Sequence, residues 1–351
     1  MASKPLIPLH ERAGFDTLID ARSPSEFALD HLPGAINCPV LDDAERARVG
    51  TLYVQASAFE ARKVGAALVA RRLAGWVDAL WSQQGKDWRP LVYCWRGGMR
   101  SGSAVTVMRM IGWDAGQLQG GYKAWRAHVI RVLAEQVPRL RLQLLSGPTG
   151  SGKTRLLGAL AAQGAQVIDL EGLAGHRGSV LGGLPDQDQP SQKAFETRLA
   201  DAVERLDPAR PVFAEAESRR IGRIALPDAV LEALRAAPVT ELRVDLAQRR
   251  TLLLQDYAWL IADAPQLQAR LAQLQGLLPN ALLARWQQLA AEGPAAELAE
   301  ELLALHYDPL YAQSQRRHLR GLPAAAELAL DPCKPQDLAE AAATLRRRCG
   351  D

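Results

Sequence analysis

Over the first 135 residues, short apolar runs alternate with segments whose apolar positions recur every three or four residues. The runs at 15–21, 35–40 and 90–93 read as strands, and 59–83, 100–111 and 122–133 read as helices. Strands alternating with helices predict a parallel sheet covered by helices. The same alternation restarts after Pro138, with strand-like runs at 140–145, 165–170, 211–214 and 239–246 and helical spacing over 154–163 and 191–205. From 248 to 349 the chain is rich in Leu, Ala and Gln at helical spacing. It reads there mostly as helices, broken at Pro265, Pro279, Pro294, Pro309, Pro323 and Pro332. The pattern predicts an α/β protein in three segments: a parallel α/β domain over 1–136, a second over 137–247, and a helical extension of the second over 248–351.

Composition narrows this only in part. With 48% hydrophobic and 23% charged residues the chain is an ordinary globular mixture. No window reaches about 18 uninterrupted apolar residues, and the N-terminus has no leader pattern, so no membrane span or export is expected. Four cysteines in 351 residues exclude a disulfide scaffold and point to free thiols in a reducing cytoplasm. The net charge of +3 excludes a strongly basic nucleic-acid binder, yet it is unevenly spread. Residues 1–140 carry 18 Lys and Arg against 13 Asp and Glu, while 141–351 carry 24 against 26. A basic first half remains available to an anionic polymer.

The first run with chemistry in it is Tyr93-Cys94-Trp95-Arg96-Gly97-Gly98-Met99-Arg100-Ser101. A strand ends at Cys94 and a helix begins near Arg100, so the loop between them can turn its N–H groups inward as an anion nest. Gly97 and Gly98 supply the backbone freedom that such a loop needs. The nest, with Arg96 or Arg100, would stabilise a thiolate at Cys94, with Ser101 closing the loop. Cys38, Cys333 and Cys349 lack this context and read as structural. The spacing suits two chemistries, a cysteine phosphatase or a sulfur- or selenium-carrying rhodanese. Phosphatases usually have His where this chain has Tyr93. The upstream runs Asp20-Ala21-Arg22-Ser23-Pro24-Ser25-Glu26-Phe27 and His31-Leu32-Pro33-Gly34-Ala35-Ile36-Asn37, with Gly120-Gly121-Tyr122-Lys123-Ala124-Trp125 downstream, resemble the opening and closing signatures of rhodanese domains.

The second run is Gly147-Pro148-Thr149-Gly150-Ser151-Gly152-Lys153-Thr154, which satisfies the full phosphate-loop pattern between a strand and a helix. The N–H groups of Gly147, Gly150, Ser151 and Gly152 can cradle a diphosphate. Lys153 can reach its terminal phosphate, and Thr154 can hold Mg²⁺. Lysine is rare here, at seven residues, so Lys153 within this pattern carries weight. Candidate acidic partners are Glu215 or Glu217 after one strand and Asp169 or Glu171 after another. The polar run at Glu171–Ser179 adds His176 and Arg177, and Arg219, Arg220 and Arg223 are further candidate phosphate contacts. No guanine-reading motif or adenine pocket is evident.

A rhodanese-like cysteine loop ahead of a phosphate loop resembles the tRNA 2-selenouridine synthase family. The likeness also rests on Asp169-Leu170-Glu171-Gly172-Leu173-Ala174, His176-Arg177-Gly178-Ser179, Glu217-Ser218-Arg219 with Ile221-Gly222, and Tyr307-Asp308-Pro309-Leu310-Tyr311. One departure is Ala216, where the family pattern tends to carry Asp. The resemblance implies a rhodanese-like domain followed by a P-loop NTPase-like domain with a helical C-terminal region. It implies tRNA as partner, with a 5-substituted 2-thiouridine at the wobble position, and geranyl diphosphate and selenophosphate as co-substrates. An upstream enzyme would supply selenophosphate. On this reading the sulfur is S-geranylated in the P-loop domain. Selenium then displaces it, either as a perselenide on Cys94 or directly from selenophosphate.

Overall fold

The computed structural model describes residues 5–179, 181–185, 187–319, 321 and 324–351, with the side chains of 314–318 left aside. It divides into two compact units: 1–131 with 196–201, and 132–195 with 202–351.

The first unit is built on four parallel strands: β1 (Thr17–Asp20), β2 (Ile36–Asn37), β3 (Pro90–Tyr93) and β4 (Gly116–Gln117), in the order β2-β1-β3-β4. β3 is buried along its whole length, as a strand covered on both faces must be. The second expected strand shrinks to two residues, Ile36–Asn37. The long helix expected at 59–83 forms as Ala58–Ala79, capped by the Ser57 hydroxyl on Glu60 N, and ends in a short turn, Trp81–Gln83. A helix that the periodicity did not announce precedes it, Asp43–Gln55. That helix buries none of its residues, so it has no apolar stripe to read, and a capping box of Asp42 and Glu45 starts it. Ile19, Val92, Cys94, Met108, Trp81 and Trp113 share the core.

The second unit carries five parallel strands: β5 (Arg141–Ser146), β6 (Gln166–Ile168) and β7 (Pro211–Glu215), followed, after a two-residue-stranded hairpin of β8 (Arg220–Ile221) and β9 (Ile224–Ala225), by β10 (Val239–Arg243) and β11 (Ala326–Ala329). The order is β11-β10-β5-β7-β6. The chain runs from β5 to one side of the sheet and later returns to the other, so the strand order reverses at β5. In parallel α/β sheets the crevice at the carboxyl end of such a strand is where ligands bind. The helices Lys153–Ala162 and Pro335–Cys349 pack against this sheet through Leu156, Leu160, Ala342 and Leu345.

The mostly helical stretch 248–349 also holds one strand that its pattern does not announce: β11 pairs in register with β10. Its sequence, Ala-Glu-Leu-Ala, has no β-branched residue and only Leu328 buried, so a strand's local signal is absent. The prolines mostly start helices rather than break them. Pro265 lies in the first turn of Ala264–Ala272, and Pro279 and Pro294 cap Asn280–Glu292 and Ala295–Leu302. Pro309 sits at the second position of Asp308–His318, directly after a wide π-turn at Leu303–Tyr307. Pro323 lies outside the described residues. A second core of Leu260, Leu267, Leu271, Trp286, Leu298 and Leu302 holds these helices together.

Candidate active sites

In the first unit, β3 delivers Cys94 to the start of a loop that ends at the helix Met99–Ile111. Cys94 is buried at 3% exposure, and the Ser101 hydroxyl donates to its Sγ at 3.2 Å. Gln117 Nε2 donates to the carbonyls of Gly97 and Gly98 at 2.8 and 3.0 Å. The loop carbonyls are thus tied back into the protein. Gly97 adopts φ +67°, and a Cβ there would meet Leu118 O at 2.5 Å. The closing segment locks the other side. Tyr122 N and Lys123 N donate to the carbonyls of Cys94 and Trp95 at 2.8 and 2.9 Å. Only Gly121, at φ +56°, lets the backbones come this close.

The signature residues upstream turn out to frame this loop. Arg22, fully buried, forks onto Asp20 at 2.6–3.0 Å, donates to Asp30 O and lies 3.8 Å from the Tyr122 ring centroid. Tyr122 OH donates to Asp30 Oδ2 at 2.8 Å. Tyr93, where a phosphatase would have His, is fully buried, and its hydroxyl accepts from Leu32 N at 3.2 Å. It therefore has a packing role. Arg100 pairs with Glu26 at 2.8 Å, so its charge is already matched, while Arg96 and Gly98 are exposed. Burial alone would raise the Glu26 carboxyl, but Arg100 and then Arg46 outweigh it and hold it below the ordinary range. Cys38 is buried beside Trp81, and burial pushes its thiol up to about 11.

In the second unit the turn after β5 is the phosphate loop, and the helix Lys153–Ala162 begins on it. Gly150 and Gly152 adopt φ +79° and +77°. Lys153 Nζ folds back to donate to Gly147 O at 2.8 Å. Thr154 Oγ1 lies 3.4 Å from both Glu171 Oε2 and Glu215 Oε1. Glu215 is fully buried at the end of β7, and its other oxygen accepts from Leu170 N at 3.0 Å. Burial, then Asp169, Glu171 and Glu217, push the Glu215 carboxyl well up. Burial also raises Glu171 against the pull of Lys153. Burial, followed by the charge of Glu171, takes Glu217 to about 8.

These donors are hard oxygens around a hydroxyl that already faces a phosphate cradle. No cluster of three or more His, Cys, Asp or Glu among the described residues is arranged as a metal cage. That donor set suits Mg²⁺, which is commonly held by one or two carboxylates and by substrate phosphates. Thr154 with a neighbouring carboxylate would hold it, and there it would offset charge on a bound diphosphate.

His176 and Arg177 line the same cavity as the loop. Burial lowers His176, with Arg270 adding to it. Arg177 stacks on Tyr257 with its charge near Asp256, at 5.2 Å from the ring centroid and 3.4 Å from the carboxylate. Arg219 instead lies on the surface, 3.4 Å from Asp228, and Arg220 and Arg223 are exposed as well.

Three residues that motif reading left without a role also shape the loop. Arg249, buried at 5% exposure, donates to Thr149 O at 2.9 Å and forks onto Asp308. The Tyr311 hydroxyl accepts from Gly147 N at 2.5 Å and meets Ser146 Oγ at 2.9 Å. The only local signal was Tyr307-Asp308-Pro309-Leu310-Tyr311, an aromatic and acidic island in an Ala-, Leu- and Gln-rich region.

A rhodanese-like domain model matches residues 8–128, and the family model described as the tRNA 2-selenouridine synthase AAA domain matches 140–269. The chain is 35% identical over 339 residues to the tRNA 2-selenouridine synthase of Shewanella denitrificans, covering 86% of this chain and 90% of that protein. The chain belongs to the tRNA 2-selenouridine synthase family. The protein of the same name from Verminephrobacter eiseniae is 37% identical over 338 residues, 86% of this chain and 89% of that one. The match to the tRNA 2-selenouridine synthase of Nitrosomonas europaea is 39% identical over 248 residues, 68% of this chain but 63% of that protein. The α/β class, with a rhodanese-like domain followed by a P-loop-type domain, is as the sequence patterns predict. No helix among the described residues is long and apolar enough to cross a membrane.

Proposed function

We propose that this member of the tRNA 2-selenouridine synthase family converts 5-substituted 2-thiouridine at the wobble position of tRNA into 2-selenouridine, through an S-geranyl intermediate. The observation that supports this best is the presence on one chain of two strand–loop–helix turns, one opening on the buried Cys94 and the other carrying the phosphate-loop sequence. The phosphate loop takes the diphosphate of geranyl diphosphate. Lys153, now 2.8 Å from Gly147 O, is positioned to swing onto it. The thiocarbonyl sulfur of the tRNA base attacks C1 of the geranyl chain. The C–O bond breaks with its electron pair on the diphosphate, and the base loses its N3 proton. Lys153 and the loop N–H groups stabilise the charge on the leaving diphosphate.

A thiocarbonyl sulfur leaves carbon poorly, and alkylation turns it into a departing thiol. Selenium from selenophosphate bonds to C2, the C2–S bond breaks, geranylthiol leaves, and water takes up the phosphoryl group as phosphate. The Cys94 loop holds the selenium donor for this step, with Ser101 as the hydroxyl donor to Cys94 Sγ. Trp95, 38% exposed, offers a stacking face to an unstacked anticodon base.

Mass spectrometry of tRNA nucleosides from a gene-deleted strain carrying each variant tests both steps. Lys153→Ala should abolish S-geranyl-2-thiouridine and 2-selenouridine together. Cys94→Ser should accumulate S-geranyl-2-thiouridine without selenouridine. Normal selenouridine in the Cys94→Ser strain would remove the role given to that cysteine.

A further inference from the structure

A second cavity, of about 60 Å³, adjoins the phosphate loop within the same unit. Thr149, Leu253 and Tyr257 line both, so the two share a wall. Leu253 also touches the loop: a Cβ on Gly150 would sit 3.3 Å from Leu253 Cγ. The chemistry changes sharply across that wall. On the loop side stand Lys153, Arg155, Asp169, Glu171 and Arg177. Among the described residues the second cavity is lined by no charged side chain, and ten of its fourteen lining residues are Leu, Ile or Ala. The Leu246–Asp256, Ala258–Ile261 and Ala295–Leu302 helices supply most of them.

A nucleotide base and ribose in this space would face aliphatic carbon with most of their polar edges unpaired, which is costly. A hydrocarbon loses nothing there and gains from every CH₂ removed from water. On the helix Ala295–Leu302, Ala295 and Ala299 are four residues apart, on one face, and both line the cavity. Their small side chains leave the space that larger residues would fill.

We propose that this apolar cavity is the seat of the hydrocarbon chain of the diphosphate donor, with Ala299 and Leu302 setting the chain length accepted. The assignment rests on the reading of the phosphate loop as a prenyl-diphosphate site and adds where the prenyl group lies. The donor then straddles the shared wall at Thr149, Leu253 and Tyr257, its diphosphate on one side and its chain on the other.

The test uses the full-length protein and a 2-thiouridine-containing anticodon stem-loop, with dimethylallyl, geranyl and farnesyl diphosphates as donors. S-prenylated product is followed by mass spectrometry, and affinities are taken by competition against inorganic diphosphate. Geranyl diphosphate should bind at least about tenfold more tightly than inorganic diphosphate, since burial of the chain adds to the shared anion contacts. Ala299→Phe should lower kcat/KM for geranyl diphosphate at least tenfold relative to dimethylallyl diphosphate. Leu302→Ala should raise the farnesyl-to-geranyl ratio several-fold. Retained affinity for inorganic diphosphate shows that each variant is folded. If the unsubstituted protein gives no S-prenylated product from any donor, the reading of the phosphate loop fails, and the cavity assignment with it. If it gives product but its affinity ignores chain length, or folded variants keep the original order of donors, the cavity assignment alone is overturned.

Discussion

Gly121→Ala isolates what clamps the cysteine loop. An added Cβ carries two separable costs. The first is conformational: φ is +56° at this residue, and an L side chain in that region costs roughly 1–2 kcal/mol. The second is steric: the Cβ would lie 2.2 Å from Cys94 O and 2.6 Å from Gly97 N, both backbone atoms that cannot rotate away. Relieving the overlap means pulling the closing segment off the loop, which breaks the Tyr122 N to Cys94 O and Lys123 N to Trp95 O bonds. At about 0.5–1.5 kcal/mol net for each bond, the whole change should cost about 2–5 kcal/mol. Two other glycines serve as references. Gly34 has φ +75° with nothing within 4 Å of a built Cβ, so Gly34→Ala should cost only the conformational part, roughly 1–2 kcal/mol. Gly98 has φ −99° and open space, so Gly98→Ala should lie within about 0.5 kcal/mol of neutral.

Six of the eight tryptophans fall within residues 1–131, so thermal unfolding followed by tryptophan fluorescence reports mainly on this unit. For a unit of this size each kcal/mol moves Tm by roughly 3–6 °C. The Tm order should be Gly98→Ala above Gly34→Ala above Gly121→Ala. In cells, Gly121→Ala should lose 2-selenouridine while keeping S-geranyl-2-thiouridine, because the phosphate loop is untouched. A Gly121→Ala protein melting within about 2 °C of Gly34→Ala would refute the steric argument and leave only the backbone conformation.

Asp20→Asn should cost roughly 3–5 kcal/mol in the same unfolding assay, because it strands the fully buried Arg22 guanidinium without its counter-charge. Glu26→Gln should flatten the acid limb of stability. The carboxyl is held below its ordinary value of 4.5 in the folded chain, so its contribution is present above that pH and is lost as pH falls through the lower, folded value. Acid titration of the tryptophan signal reads this directly, and an unchanged acid limb would mean that Arg100 and Arg46 are not held by Glu26. Tyr311→Phe removes the acceptor for Gly147 N and should cost the second unit about 0.5–1.5 kcal/mol in chemical denaturation, the equivalent of one net hydrogen bond.

Most of the backbone around the candidate sites was legible because it is written in contiguous residues. A strand, a few residues with two glycines and a helix start are enough to specify a strand–loop–helix turn. Hence Cys94 to Ser101 and Gly147 to Thr154 could be placed from spacing alone. The strands β3 and β7 were legible for a related reason: burial on both faces demands unbroken apolar runs. Tertiary structure alone decided what meets those loops from a distance. Tyr311 reaches Gly147 across 164 positions, and Arg249 reaches Thr149 across 100. Neither contact leaves a periodicity or a motif near its partner. β11 is a strand because β10 offers it a ladder, not because its residues prefer one. The apolar cavity is likewise invisible along the chain, where Leu and Ala at helical spacing look like any core. Only the packing of helices from separate stretches leaves space between them, beside a loop built for phosphate. Local backbone geometry is encoded locally, whereas a cavity is a relation among surfaces and exists only once they are assembled.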